Sequence, residues 1–233
     1  MARAVVPELM SPGHALPGRV RRAWLLLGLG LLAGLGACRP YTEPAALALP
    51  TSTPLVQPAC DPKLDLLVRR SRETYRVRGN SLDEIRASIA PQRYRDPSGQ
   101  AWDAFTSWEI RWSYPFVERI DACALGRERV RVDIRMHLPH WDPPSGADPE
   151  LVGAWRRYIT ALEAHEEGHA QIALAAACEV RQELRSLEPQ PDCDQLELAA
   201  DRSTQAVIDR YHELELRYDL DTDHGADEGA VLP

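Results

Sequence analysis

Between residues 155 and 180 the chain carries one apolar seam, Trp155, Tyr158, Leu162, Ile172, Ala176 and Val180, in steps of three and four, and His165 and His169 fall on the same seam. That spacing puts residues on one face only in an α-helix. Asp148-Pro149 supplies an N-cap followed by proline in the first turn, so the helix is expected to start there and run to about Leu187. Glycine inside a helix costs about 1 kcal/mol against alanine. Gly168, beside the histidines, therefore implies that something packs too close for a side chain.

Residues 165 to 169 read His-Glu-Glu-Gly-His. Two imidazoles four positions apart share a helix face and can reach one Zn²⁺, with Glu166 beside the position that a catalytic zinc leaves open for water. In that chemistry Glu166 takes a proton from the water and returns it to the leaving amine. Glu167 lies on the other side of the helix and is read as solvent-facing. A third protein ligand is required. His212, Glu213, Asp219 and His224 are candidates by residue type, and each has a plain alternative as a charged surface residue.

The N-terminal part reads as an address. Arg19, Arg21 and Arg22 precede an apolar run, Ala23 to Leu35, that ends in Gly36-Ala37-Cys38. This is the layout of a secretory signal, and it is too short for a comfortable membrane span. Leu35-Gly36-Ala37-Cys38 resembles a bacterial lipobox, which implies cleavage before Cys38 and lipid attachment to it, with Met10 an alternative start. Residues 39–62, rich in Pro, Ala and Thr, read as a tether, residues 63–229 as the folded domain, and 230–233 as a tail.

Ahead of the long helix, Thr74 to Val77 suggests a short strand, and Ser81-Leu82-Asp83-Glu84 a capping box opening a helix that stops at Pro91. Trp108, Ile110, Trp112 and Tyr114 alternate with polar residues, as do Val130, Val132, Ile134, Met136 and Leu138, predicting two antiparallel strands joined by a loop around Pro115 and Cys123. A second helix is expected over residues 194–218. The fold class is α+β, a small antiparallel sheet packed on a two-helix layer that carries the histidines. The strand tryptophans read as core, whereas Trp102 and Trp141 stand near loops, where a cleft would form.

Cysteine usage agrees with export. With Cys38 lipidated, Cys60, Cys123, Cys178 and Cys193 remain, an even number suited to disulfides in an oxidising compartment. Cys178 and Cys193 flank the turn between the two helices, so Cys178–Cys193 and, by elimination, Cys60–Cys123 are the expected bridges. No CxxC pair exists for a structural zinc. The formal charge of -8 argues against a nucleic-acid surface, and loss of residues 1–38, with four Arg and one Glu, takes it to -11.

Tyr75 through Gly79 to Ser81-Leu82, Thr106-Ser107-Trp108, Trp112-Ser113-Tyr114, Leu138-Pro139-His140-Trp141, Trp155, His165 to His169, and the ending Tyr218-Asp219, Thr222, His224-Gly225 occur in an order that resembles a bacterial family of unknown function described as predicted secreted zinc-dependent proteases. The resemblance implies a zincin-like domain with one catalytic zinc, His224 as third ligand with Asp219 as its rival, and Asp219 or Thr222 orienting an imidazole. The functional expectation is a lipid-anchored metallopeptidase of the bacterial cell envelope, in the periplasm or on the outer face of a membrane, acting on peptides or proteins. Two other classes are compatible with the same residues: a non-catalytic metal- or partner-binding lipoprotein, and a zinc-dependent peptidoglycan amidase or hydrolase.

Overall fold

The computed structural model describes residues 57–96 and 98–233, together with the backbone of residues 2–5. The expected apolar run, Cys38 and most of the tether lie outside the described residues. The elements in order are β1 (Ala2–Val5), α1 (Pro62–Asp65), β2 (Leu67–Val77), α2 (Leu82–Ile89), β3 (Tyr94–Arg95), β4 (Ala101–Trp102), β5 (Phe105–Tyr114), β6 (Phe116–Arg119), β7 (Ala122–Leu125), β8 (Arg129–Trp141), α3 (Pro149–Ser186) and α4 (Cys193–Asp221). The mixed α+β class expected from the sequence is what forms.

The main sheet has the order β1-β5-β8-β2. β5 and β8 pair antiparallel, with Ile110 opposite Val132 and Trp112 opposite Val130, as the alternation predicts. The sheet is nevertheless mixed and not purely antiparallel, because β2 pairs with β8 in parallel along its full length, from Leu67↔Arg131 to Val77↔Trp141. Only the end of β2 was visible as a strand. Its first eight residues are all exposed, so no buried face imprints an alternation on the sequence. The charges of this edge strand pair instead: Arg70 donates twice to Glu167 at 2.7 and 2.8 Å, and Arg72 pairs with Glu163. Glu167 thus ties α3 to the sheet rather than facing solvent unpaired. At the opposite edge, β1 lies antiparallel to residues 111–114, within the stretch read as a leader.

α3 starts as expected: Asp148 accepts a hydrogen bond from the Glu150 amide at 2.9 Å, and Pro149 occupies the first turn. The seam is buried throughout, from Trp155 and Tyr158 to Ala176 and Val180. Its alanines, Ala170, Ala173, Ala176 and Ala177, have no measurable exposure and let the sheet and α4 approach closely. Ile110, Trp112, Val130, Val132 and Ile134 form the sheet side of this core, and Ala200, Val207 and Ile208 the α4 side. A second cluster joins Trp155, Tyr158 and Leu162 to Ile85 and Ile89 of α2 and to Leu138 and Trp141. α2 opens on Ser81, whose hydroxyl accepts from the Glu84 amide at 3.3 Å while the Glu84 carboxylate accepts from the Asn80 amide at 2.6 Å.

The four cysteines pair as Cys60–Cys178 and Cys123–Cys193, so the expected partners are exchanged. α3 explains why. Cys178 sits eight residues before the helix end, about 12 Å along the axis at ~1.5 Å per residue, beyond the reach of a residue that opens the next helix. The expected loop after β5 is a hairpin, β6–β7, whose Cys123 exchanges backbone hydrogen bonds with Gln190 at 2.7 and 2.9 Å and is thereby held against the start of α4. Replacing both Cys60 and Cys178 by serine frees the N-terminal end of the domain from α3, and we expect a loss of about 2–5 kcal/mol. Denaturant unfolding against the parent chain under non-reducing conditions measures it.

Two disulfides fit an oxidising, exported environment. No helix among the described residues is long and apolar enough to cross a membrane.

Candidate metal centre

α4 runs back along α3 and brings its last turn beside His165 and His169. Asp219 Oδ1 lies 3.2 Å from His165 Nε2 and 3.0 Å from His169 Nε2. These three residues form the group whose ligand atoms could share one ion among the described residues. Two imidazole nitrogens and a carboxylate oxygen are a common zinc donor set, and bonds of ~2.0–2.2 Å in a tetrahedron separate ligand atoms by roughly 3.3 Å. The observed spacings fit.

Of the two rivals for the third position, the geometry brings in Asp219. His224 is left beside it, with Nδ1 3.6 Å from Asp219 Oδ1 and its ring stacked on Trp102 at a centroid distance of 3.7 Å. His212 and Glu213 are outside the group; the His212 ring packs against Trp108 at 4.9 Å.

The far nitrogens of both imidazoles also face carboxylates. His165 Nδ1 is 3.1 Å from Glu228 Oε2, and His169 Nδ1 is 3.5 Å from Glu215 Oε1, an oxygen that also accepts from the Trp108 indole at 2.7 Å. A carboxylate beside Nδ1 fixes each ring's orientation, as in histidines that bind metal, and sets Nε2 toward Asp219. Thr222 Oγ1 stands 3.5 Å from His165 Nδ1. Sequence reasoning missed Glu215 and Glu228. Glu215 had a signal, since it precedes Asp219 by four positions and so shares its face of α4. Glu228 had none, because a loop delivers it.

That loop is held in an unusual backbone. Asp223 and His224 have φ of 46° and 51°, and Gly225 has φ 83°, three successive left-handed residues of which only the last is free of the steric cost. A Cβ at Gly225 would come within 2.9 Å of His165 Cγ, so glycine is needed both for the turn and for the approach. Gly168 meets its expected neighbour in Tyr218. A Cβ there would lie 2.3 Å from the tyrosine oxygen, whose ring stacks on His165 at 4.9 Å.

Glu166 is 4% exposed. Thr106, on β5, donates to its Oε2 at 2.7 Å and fixes the carboxylate. Burial pushes the Glu166 carboxyl up from its ordinary range, against the pull of His169 and the Thr106 hydrogen bond. At His169 burial acts against the charged form, but the Asp219 and Glu215 carboxylates outweigh it and hold the pKa well above the usual imidazole value. Burial would likewise raise Asp219, yet hydrogen bonds from His165 and His169 bring it far below the usual carboxylate range. An arrangement that retains a proton this strongly is one for which a cation competes.

Asp103 secures the rim. Its carboxylate accepts from Tyr158 at 2.7 Å and from Arg93 at 2.6 Å, and its carbonyl accepts from Tyr75 at 2.7 Å. This anchors the β3–β4 hairpin, and with it Trp102 against His224.

A model built for one bacterial family, described as a bacterial protein of unknown function (DUF922), matches residues 72–225. The chain belongs to the DUF922 family. The match runs from within β2 to Gly225 and so takes in His165, Glu166, His169, Asp219 and Thr106, whereas Glu228 lies beyond it. No curated protein and no solved structure matches this DUF922 chain.

Proposed function

We propose that this protein is a zinc-dependent metallopeptidase of the cell envelope with a zincin-like site. The observation that carries the reading is the convergence of His165, His169 and Asp219 ligand atoms within 4.8 Å of one another, next to a buried carboxylate, Glu166, on the same helix. In this reading His165, His169 and Asp219 hold one Zn²⁺, and Glu228 and Glu215 orient the imidazoles. Bound zinc would polarise a substrate carbonyl and acidify a water. Glu166, steadied by Thr106, accepts that water's proton, and its elevated pKa suits it to pass the proton to the leaving amine. His224 and Trp102 border the site and bear on substrate rather than on the metal. β5 passes beside Glu166 through Thr106; β1 takes up its outer edge at residues 111–114, and an extended peptide would pair with the same edge nearer Thr106.

Metal analysis of the purified chain at near-neutral pH, together with a peptide-substrate screen, tests the proposal. One zinc per chain is expected, with hydrolysis abolished by a chelator and restored by zinc. Tight zinc without turnover on peptides, proteins or cell wall would instead identify a metal-binding protein, and turnover of purified cell wall alone an amidase.

A further inference from the structure

The last turns of α4 carry Glu215, Tyr218, Asp219 and Thr222 at the helical spacing i, i+3, i+4 and i+7, so the four share one face. Three of them meet imidazole nitrogens: Glu215 faces His169 Nδ1, Asp219 faces both Nε2 atoms, and Thr222 stands by His165 Nδ1. Tyr218 meets the rings themselves. It lies parallel to His165, at a centroid distance of 4.9 Å and an interplanar angle of 13°, and edge-on to His169, at 5.1 Å and 80°. The two imidazoles stand at 89° to each other, which is what lets one tyrosine ring pack on both.

The same side chain reaches the main chain of α3. Its hydroxyl donates to the His165 carbonyl at 3.3 Å and lies 3.4 Å from Glu228 Oε2, the oxygen that backs His165 Nδ1. The way to that carbonyl leads over Gly168. A Cβ there would lie 2.3 Å from the hydroxyl oxygen, 2.5 Å from Cζ and 2.8 Å from Cε1, against 3.4 Å or more for ordinary contact. Three atoms of one rigid ring are in the way, so a methyl at 168 pushes the ring back by about 1 Å. Either the ring leaves its stack on His165 or α4 withdraws. Asp219 is the next residue, with Oδ1 3.2 and 3.0 Å from the two Nε2 atoms, and a withdrawal of that size opens both gaps beyond the roughly 3.3 Å between ligand atoms of one tetrahedral zinc.

We propose that Tyr218, seated against Gly168, is a positioning residue that sets the register of α4 on α3 and so holds Asp219 at both imidazoles. The role rests on the reading of His165, His169 and Asp219 as a zinc site. It also accounts for glycine in the middle of a buried helix, where alanine is the better helix former: the tyrosine and not the helix excludes the methyl.

Zinc affinity by chelator competition, and the urea midpoint of the metal-free chain, are to be measured on the parent, Gly168→Ala, Tyr218→Leu and the double variant. Gly168→Ala should lower the metal-free midpoint in the parent and raise it in the Tyr218→Leu background, where the obstruction is gone and helix preference acts alone. If Gly168→Ala does not fold, a folded double variant shows the same reversal. Each single variant should weaken zinc binding by about 10- to 100-fold, the usual effect of a residue that orients a ligand, and the double variant should bind no more weakly than Tyr218→Leu. Parent zinc affinity in either folded single variant, losses that multiply in the double variant, or a midpoint that Gly168→Ala changes alike in both backgrounds would each overturn the proposal. A parent chain that binds no zinc overturns the metal reading itself, a result distinct from parent zinc that survives Gly168→Ala.

Discussion

Glu166→Gln is expected to lower peptide hydrolysis by about 10²- to 10⁴-fold, the usual contribution of a positioned general base, while the chain keeps one zinc. Glutamine has the same shape and can still accept from Thr106, whose hydroxyl lies 2.7 Å from Oε2, so the buried position stays filled and hydrogen-bonded. It cannot accept a proton at neutral pH. The residue is also not among the three whose ligand atoms converge, so metal content separates loss of the base from collapse of the site. Zinc analysis and kinetics on one preparation give both numbers, and full activity in the variant would remove Glu166 from the mechanism.

Asp219→Ala should abolish stoichiometric zinc binding, whereas His224→Ala should retain it. Partners that merely orient a ligand typically change metal affinity by 10- to 100-fold, and loss of a direct ligand is expected to exceed roughly 100-fold. The variant also strips both Nε2 atoms of their neighbour, and leaving buried polar groups unpaired costs about 1–3 kcal/mol, so the apparent Tm should fall as well. His224 is 3.6 Å from Asp219 and stacked on Trp102. Its removal is expected to act on substrate turnover with zinc still bound. Competition with a chromophoric chelator compares the two variants, and the opposite ranking would return His224 to the ligand set.

The parts of this arrangement that were legible beforehand are those set by neighbours in the chain. His165 and His169 share a face because they are four apart on a helix, and the burial of both follows from the seam they interrupt. The demand at Gly168 for a close neighbour was equally local, although Tyr218 as that neighbour was not. Where long-range pairing decides, the sequence was silent or misleading. β2 is an edge strand whose arginines reach α3 and Asp133, and such a strand has no buried face to betray it. Disulfide partners chosen by proximity along the chain came out exchanged, because 38 residues of rigid helix carry Cys178 away from the turn it seems to flank.

By itself the sequence determined the long helix, its buried face and the two imidazoles and carboxylate that the face presents, since a period of 3.6 residues is written in the order of the residues. Only the tertiary structure decided that Asp219 and not His224 meets those imidazoles, that Glu215 and Glu228 back them, and that Thr106 holds Glu166. Those choices depend on the register of α4 against α3 and on a left-handed turn at residues 223–225. Packing and chain reversal set that register and turn, and neither leaves a period in the sequence.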